Sequence, residues 1–457
     1  MNIKFLNKNE LVENLKNIEN PLSLVILGHL TLLILAVPYY GKFEPTVYYS
    51  ILVMFFNIAM FGIPYFVKIS FDSQDNKDIT NAKNNENDEL GIAENSDNLK
   101  NNSLKYHIIN NLRDFKKPLA LLGLIICGLV AGNGIYAFLG IGAAILFMII
   151  GFALLELFFG YYRKYSLACN KEYIIRNKKE NKENKENKEN KRNMDKIGYY
   201  AGLFGILSFI IIVLKYGNIP LLDYTIRMGI ANEPLRLLSY GTLSYFALSG
   251  FLPFIIALGL NIGLGYKAGV LTVVVSYLIW KKKTSKISFA KLVFWAFILL
   301  VFLGVMSKLI ISTSGQNWSL NFIEMLSYRA YFDIMSFDKV IHYPQMLMGS
   351  TTFIPNGEQV ISELIYGYKH NITTTMFAPF HLDFGLFGGG FLAFLFGLIS
   401  KKIYENIDLK LYCIYGAILL SMTEIGFNYG FLIVVALFSY MAVRMQDYKI
   451  KYIKNIR

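Results

Sequence analysis

The chain has 457 residues, 54% of them hydrophobic, and a formal charge of +13, with a mean hydropathy of +0.41. Its apolar residues gather into runs of about 18 to 23, the length of a bilayer-crossing helix, which excludes an ordinary soluble fold. The runs do not alternate apolar and polar residues as a membrane β-barrel would. The lysines sit in short segments between runs, as the positive-inside rule expects, and not in a nucleic-acid-binding patch.

Residues 1–20 read as a polar cytoplasmic lead-in, with Lys4, Lys8 and Lys16 set against Glu10, Glu13 and Glu19, unlike a cleaved signal peptide. Transmembrane helices are expected at 21–40 and 46–69. Residues 70–117 are rich in Asn, Asp, Glu and Lys and hold too little apolar surface to fold, so they read as a disordered cytoplasmic linker. Two further spans, 118–132 and 135–160, part at Gly132-Asn133-Gly134, a turn signal. The segment 161–197 carries KKENKENKENKENKRN at 178–193. It reads as a disordered basic cytoplasmic loop, either a plain solvated linker or a docking site for anionic lipid or a partner.

The region 198–311 opens with a span at 198–216 and an outward loop at 217–241, where Arg227 and Arg236 are balanced by Asp223 and Glu233. Two apolar stretches, 242–260 and 268–280, flank NIGLGYK, which ends at Lys267. Two full crossings there would put Lys281-Lys282-Lys283 outside. One stretch is therefore expected to be re-entrant or interfacial, which membrane proteins allow where the backbone is buried in protein. After a span at 292–311 comes the largest outward loop, 312–376, in which acids outnumber bases. Asn321-x-x-Glu324 predicts a capping box, Arg329 and Asp333 fall on one helical face, and a second short helix is expected at 358–366. The C-terminal region 377–445 holds spans at 377–400, 411–426 and 429–444, and 446–457 is a basic cytoplasmic tail. The fold class is an all-α polytopic membrane protein with about 10–11 transmembrane helices and one large outward loop.

Three scattered cysteines, Cys127, Cys169 and Cys413, imply neither a disulfide framework nor a metal site. No metal motif, P-loop or nucleophile elbow is present, so no cofactor is expected. The stretch 370–397, HNITTTMFAPFHLDFGLFGGGFLAFLFG, takes the chain from water into lipid and brings His370, Asn371, His381 and Asp383 to that crossing. Polar residues at such a boundary are candidate site residues. His370 is the best general base, because imidazole titrates near neutral pH. Asp383 suits positioning the helix and has a smaller claim to catalysis. Gly385, Gly388, Gly389 and Gly390 would let another helix or a lipid chain come close. Arg227 and Arg236 either grip phosphate in a bidentate manner or pair with Asp223 and Glu233. Lys267 either reaches a lipid pyrophosphate or snorkels to the headgroups. Arg329 with Asp333 reads first as a structural ion pair, His342 as a loop residue and His29 as an interior one. Glu424 and Asn428 are weaker candidates to line the same outer cavity.

An outward loop opening Gly217-Asn-Ile-Pro-Leu and followed by arginines, the break Gly265-Tyr266-Lys267, a long outward loop and a closing span entered through Asp383-Phe-Gly-x-x-Gly occur in that order. This arrangement, over roughly 198–397, resembles the oligosaccharide repeat-unit polymerases, Wzy-like relatives of the O-antigen ligases. The resemblance implies a metal-independent glycosyltransferase of the cytoplasmic membrane. It would polymerise polyprenyl-pyrophosphate-linked oligosaccharide on the outer face, with membrane lipids around it and a flippase and a chain-length regulator as candidate protein partners. It implies that Arg227, Arg236 and Arg329 hold pyrophosphate and glycan, with Lys267 where the family usually has arginine. His370-Asn371 would match the His-Asn pair that activates the acceptor hydroxyl, although the interval from His370 to Gly385 is longer than in the ligases. The alternatives are a flippase for lipid-linked sugars and a ligase that transfers glycan to another acceptor.

Overall fold

The structure is a computed structural model that describes residues 2–5, 19–70, 186–230, 234–285, 288–313 and 319–456. The spans expected at 118–132 and 135–160, the linker 70–117 and most of the loop 161–197 lie outside the described residues. Apart from one short strand pair, the described chain is built from thirteen α-helices and two 3-10 turns. Five helical segments are long and apolar enough to cross a membrane.

Helix α1 (Pro21–Ala36) starts where Asn20 accepts the amide of Leu22 at 3.1 Å and Pro21 fills the first turn, a position that needs no amide donor. A 3-10 turn, Val37–Lys42, extends it. Helix α2 (Thr46–Phe66) ends just after Pro64, which cannot continue the hydrogen-bond ladder. The chain leaves it as strand β2 (Val67–Ser70), antiparallel to β1 (Asn2–Phe5). The second apolar run therefore stops short of residue 69, and residues 2–5 of the lead-in pair with its end.

Helix α3 (Glu186–Tyr216) begins inside the Lys/Glu/Asn repeat, well before its apolar portion Ile197–Tyr216. After α4 (Tyr224–Gly229) come α5 (Pro234–Ala247) and α6 (Phe251–Gly263), of 14 and 13 residues. At 1.5 Å per residue each is only about 20 Å long, against about 30 Å of bilayer core. They divide the stretch 242–260 near Ser249-Gly250. A side chain added at Gly205, Gly202 or Gly198 of α3 would strike Thr242, Phe246 or Ser249 in turn, so α5 descends tightly against α3. Helix α6 returns, and the 19-residue α7 (Lys267–Ser285) then runs to the lysine cluster. A short hairpin followed by one 19-residue helix is compatible with the single net crossing expected from the lysines.

Helix α8 (Phe289–Thr313) leads to the long loop, which contains α9 (Phe322–Ile341) and α10 (Gly357–Tyr366). The capping box at Asn321 and Glu324 is present: Asn321 accepts the amide of Glu324 at 2.9 Å, and Glu324 accepts that of Asn321 at 2.8 Å. Helices α11 (Ala378–Asn406), α12 (Leu409–Ile425) and α13 (Tyr429–Ile456) complete the chain.

Helix α11 bends at Gly385, whose φ of 66° and ψ of −170° interrupt the helix with a backbone that residues bearing a Cβ avoid. Beyond the bend it lies along α2 so closely that a Cβ at Gly397 would sit 2.1 Å from the carbonyl oxygen of Phe61. Of the glycines at 385, 388, 389 and 390, Gly390 faces Phe56 and Met60 of α2, Gly388 and Gly389 face their own helix and Gly385 faces Met346, and the tightest approach is at Gly397, at the end of the run. Around it Phe61, Phe380, Phe396 and Phe427 form an aromatic core with ring centroids 4.8 to 6.5 Å apart, within the range of favourable edge and offset contacts. Ile34, Leu52, Leu214 and Phe297 point away from the bundle, each 63 to 76% exposed. Such an apolar exterior is stable in lipid and not in water.

Candidate functional site

The long loop and the break before α7 meet at one end of the bundle. Asp223 caps α4, accepting the amides of Thr225 at 2.8 Å and Ile226 at 3.1 Å. This turns Arg227 inward, where it is 6% exposed. Its guanidinium donates to the Thr313 hydroxyl at 3.1 Å and to the Ile310 carbonyl at 3.2 Å, pinning α4 to the end of α8. Asp223 therefore serves the helix start and not the arginine charge.

The break Gly265-Tyr266-Lys267 completes this side. Gly265 has a φ of 76°, and a Cβ there would meet Arg227 Cδ at 3.0 Å. The glycine is needed both for its backbone and for the space it leaves the arginine. The Tyr266 hydroxyl donates to the Arg227 carbonyl, and the Arg236 guanidinium lies 4.1 Å over the Tyr266 ring, within cation–π range. Lys267, one residue on, faces Glu424, Arg329, Asp333 and Arg227.

Helix α9 brings the fourth cation. Arg329 Nε lies 3.7 Å from Asp333 Oδ1 and 3.6 Å from Glu424 Oε1. Asp333 is completely buried and accepts a hydrogen bond from the Thr373 hydroxyl, which ties the strand following His370 to α9. Lys267 thus lies within electrostatic reach of Arg227 and Arg329 as well as of Asp333 and Glu424, and Arg236 stacks on the neighbouring Tyr266, an excess of positive charge suited to a polyvalent anion.

Below these charges an apolar cavity of about 240 Å³ runs between α1, α7, α8, α9 and α12. Leu271, Leu299, Leu303 and Leu326 line its length, Arg329 and Glu424 stand at one end, and Glu19 and Lys282 stand at the other.

The residues of 370–397 separate into two groups. His370 and Asn371 are exposed, just before Thr373, which bonds Asp333. The His370 ring is 6.4 Å from that of Tyr368, and Asn371 accepts from Gln359 at 2.8 Å. His381 instead faces the backbone of Ile341 and the ring of His342, at the far end of α9. Asp383 is completely buried, and its two carboxylate oxygens accept the amides of Thr351 at 3.1 Å and Thr352 at 2.8 Å. His342 lies beside Asp338 at 3.3 Å, and His29 stacks on Phe377 inside the bundle at 5.6 Å. The structure puts Lys267 within reach of Arg227 and Arg329, holds Arg236 on Tyr266, leaves His370 and Asn371 exposed just before Thr373, and places His381 and Asp383 elsewhere. Tyr266 and Thr373, which link the parts, carry no sequence signal of that role. Asp333 reads from spacing only as Arg329's partner.

Burial pushes the Asp333 carboxyl above the usual carboxylate range. Arg329, the Thr373 hydroxyl and Lys267 pull it down, and Glu424 pushes it up. Its folded-state pKa therefore exceeds the unfolded value of about 3.9, and the stability this contributes is present at low pH and lost as pH rises through the raised value. Asp333→Asn cannot ionise. Its melting temperature is expected to fall less steeply than that of the wild type from about pH 5 to about pH 9, read by thermal unfolding in detergent.

Among the described residues no group of three or more His, Cys, Asp or Glu side chains could hold a metal ion. Fold and site together define a polytopic helical membrane protein with a group of cations beside an apolar cavity. The chain belongs to the family described as "Putative O-antigen polymerase", whose match spans residues 17–440. It is also similar to an uncharacterized protein of Methanocaldococcus jannaschii, 50% identical over 241 residues, which is 53% of this chain. That match covers 62% of the relative's own length. No solved structure matches the chain.

Proposed function

We propose that the protein polymerises oligosaccharide repeat units carried on polyprenyl pyrophosphate, at the outer face of the cytoplasmic membrane. The observation that supports this most directly is the grouping of Arg227, Lys267 and Arg329, with Arg236 stacked on Tyr266, next to an apolar cavity that Arg329 lines. A pyrophosphate joined to a long hydrocarbon needs that combination of fixed positive charge and dry apolar surface. The lysines at 281–283 mark the opposite end of α7 as cytoplasmic, which sets the cation cluster outside.

In the reaction the acceptor sugar hydroxyl attacks the anomeric carbon of the donor glycan. The bond from that carbon to the pyrophosphate oxygen breaks and the new glycosidic bond forms. The hydroxyl proton passes to His370, and the departing pyrophosphate takes the electron pair. Arg329 and Lys267 sit where the leaving charge grows, with Arg227 and Arg236 behind them. Fixed cations in a water-poor site stabilise such charge more effectively than mobile water does. Asp383 is a positioning residue that shapes the loop above.

The test is reconstitution of the full chain in vesicles with lipid-linked repeat units. Wild type is expected to lengthen the glycan, and His370→Ala to lower the rate about 100-fold or more, the usual contribution of a general base. Unaltered polymer length in both His370→Ala and Arg227→Ala would show that these residues are not the machinery. Repeat units that cross the bilayer without lengthening would identify a transporter, and transfer to a different acceptor would identify a ligase.

A further inference from the structure

Tyr366, Tyr368 and His370 stand at alternate positions where the chain leaves α10, and their rings follow one another. Tyr366 stacks on Phe332 of α9 with centroids 5.6 Å apart and planes at 16°. Tyr368 follows at 6.3 Å, and His370 lies 6.4 Å beyond it. Lys369, between two of them, pairs instead with Glu363 at 3.5 Å.

The backbone under these rings is held in place. Gly367 ends α10 with a φ of 77° and donates its amide to the Glu363 carbonyl at 3.0 Å. The Ser362 hydroxyl donates to the Tyr368 carbonyl at 2.7 Å, and the Gln359 side chain donates to Asn371 at 2.8 Å. Despite this anchoring the Tyr368 side chain is left 55% exposed. A large ring fixed on a braced segment but uncovered marks a binding surface more than a packing one.

The chemistry beside the rings selects the ligand. Gln359 and Asn371 offer amide donors and acceptors, and the Tyr366 hydroxyl shares a hydrogen bond with Ser336 at 2.9 Å. Paired donor and acceptor groups suit neutral hydroxyls, which both donate and accept. The one cation over the series, Lys339, is 4.3 Å from the Tyr366 ring centre. A pyranose has an apolar C–H face and a rim of hydroxyls, so it matches an aromatic face bordered by amides.

The geometry points to the strip Tyr366–Tyr368–His370 as the subsite for the acceptor glycan, with the sugar ring on Tyr368 and the hydroxyl to be extended beside His370. This inference rests on the reading of His370 as the base. It also accounts for how an acceptor reaches the Arg329 region, because Phe332 begins the strip and the neighbouring Asp333 is bonded to Thr373. Tyr368 is then a specificity-determining residue and His370 the catalytic one.

The probe is the oligosaccharide released from the host cell's surface polysaccharide, free of lipid, titrated onto the full-length protein in nanodiscs and followed by saturation-transfer NMR. Wild type and Tyr368→Phe are expected to bind it comparably, and Tyr368→Ala at least tenfold more weakly with an unchanged melting temperature. Tyr368→Ala should also raise the KM for acceptor more than it lowers kcat. His370→Ala should weaken glycan binding less than Tyr368→Ala does and fail to extend the glycan. Wild-type binding that survives Tyr368→Ala, or no binding by wild type, would overturn the subsite. Undiminished polymerisation by His370→Ala would instead overturn the base assignment and leave the binding result standing.

Discussion

Polymer formation from lipid-linked repeats is expected to fall about 100- to 1,000-fold in Arg329→Ala, the loss that follows removal of one fixed donor to a developing negative charge. Arg329 is singled out because its guanidinium lies between two carboxylates at the mouth of the cavity, 3.7 Å from Asp333 and 3.6 Å from Glu424. Arg227, by contrast, already donates to Thr313 and Ile310, so its removal also loosens α4 from α8. Arg329→Lys restores a charge but not a planar fork, and an intermediate rate, about tenfold below wild type, is expected. Both rates are read as product length over time with donor in excess, with gel filtration and melting temperature as checks on folding. Wild-type kinetics in Arg329→Ala would remove the arginine from the mechanism.

The largest effect on stability is expected at Asp383. Alanine there would remove the acceptor for two amides, those of Thr351 and Thr352, in a place closed to water. Each orphaned buried donor costs roughly 1–3 kcal/mol, so Asp383→Ala is expected to lose about 2–5 kcal/mol. The loss should appear as a lower melting temperature and as new proteolytic cleavage within 345–357, the segment that Asp383 anchors. Asp383→Asn keeps one carbonyl oxygen and should lose about half as much. Folded Asp383→Asn is expected to polymerise normally. A well-folded but inactive Asp383→Asn would give the aspartate a catalytic part.

Local signals carried far along this chain. The capping box at Asn321 and Glu324, the Arg329–Asp333 pair and the helix before Gly367 all follow from spacing, because each joins residues within one helical turn. A re-entrant element was readable only as an expectation, from Lys281-Lys282-Lys283 and the one net crossing they call for between 242 and 280. Its location was not, since a short apolar helix and part of a long one look alike in composition. The break at Ser249-Gly250 shows only in the packing of α5 on α3.

The candidate site was legible as a set of residue types and not as a place. Arg227, Arg236, Lys267, Arg329 and His370 stand out because charges and imidazoles near lipid are few and expensive. Their union depends on Tyr266 under Arg236, on the space left at Gly265 for Arg227 and on the Thr373 hydroxyl at Asp333. None of these contacts has a sequence period, because the partners lie on different elements brought together by the bundle.

By itself the sequence determined the membrane class, the span lengths and the end of the bundle that carries the lysines, since hydropathy and charge act through composition over a turn or a span. Tertiary structure alone decided that His370 is exposed while Asp383, only thirteen residues later, is enclosed on the Thr351 and Thr352 amides. The physical reason is the left-handed bend at Gly385 and the close seating of Gly397 on Phe61. Together they set the direction of α11, and so which of its polar residues meets water and which is sealed away.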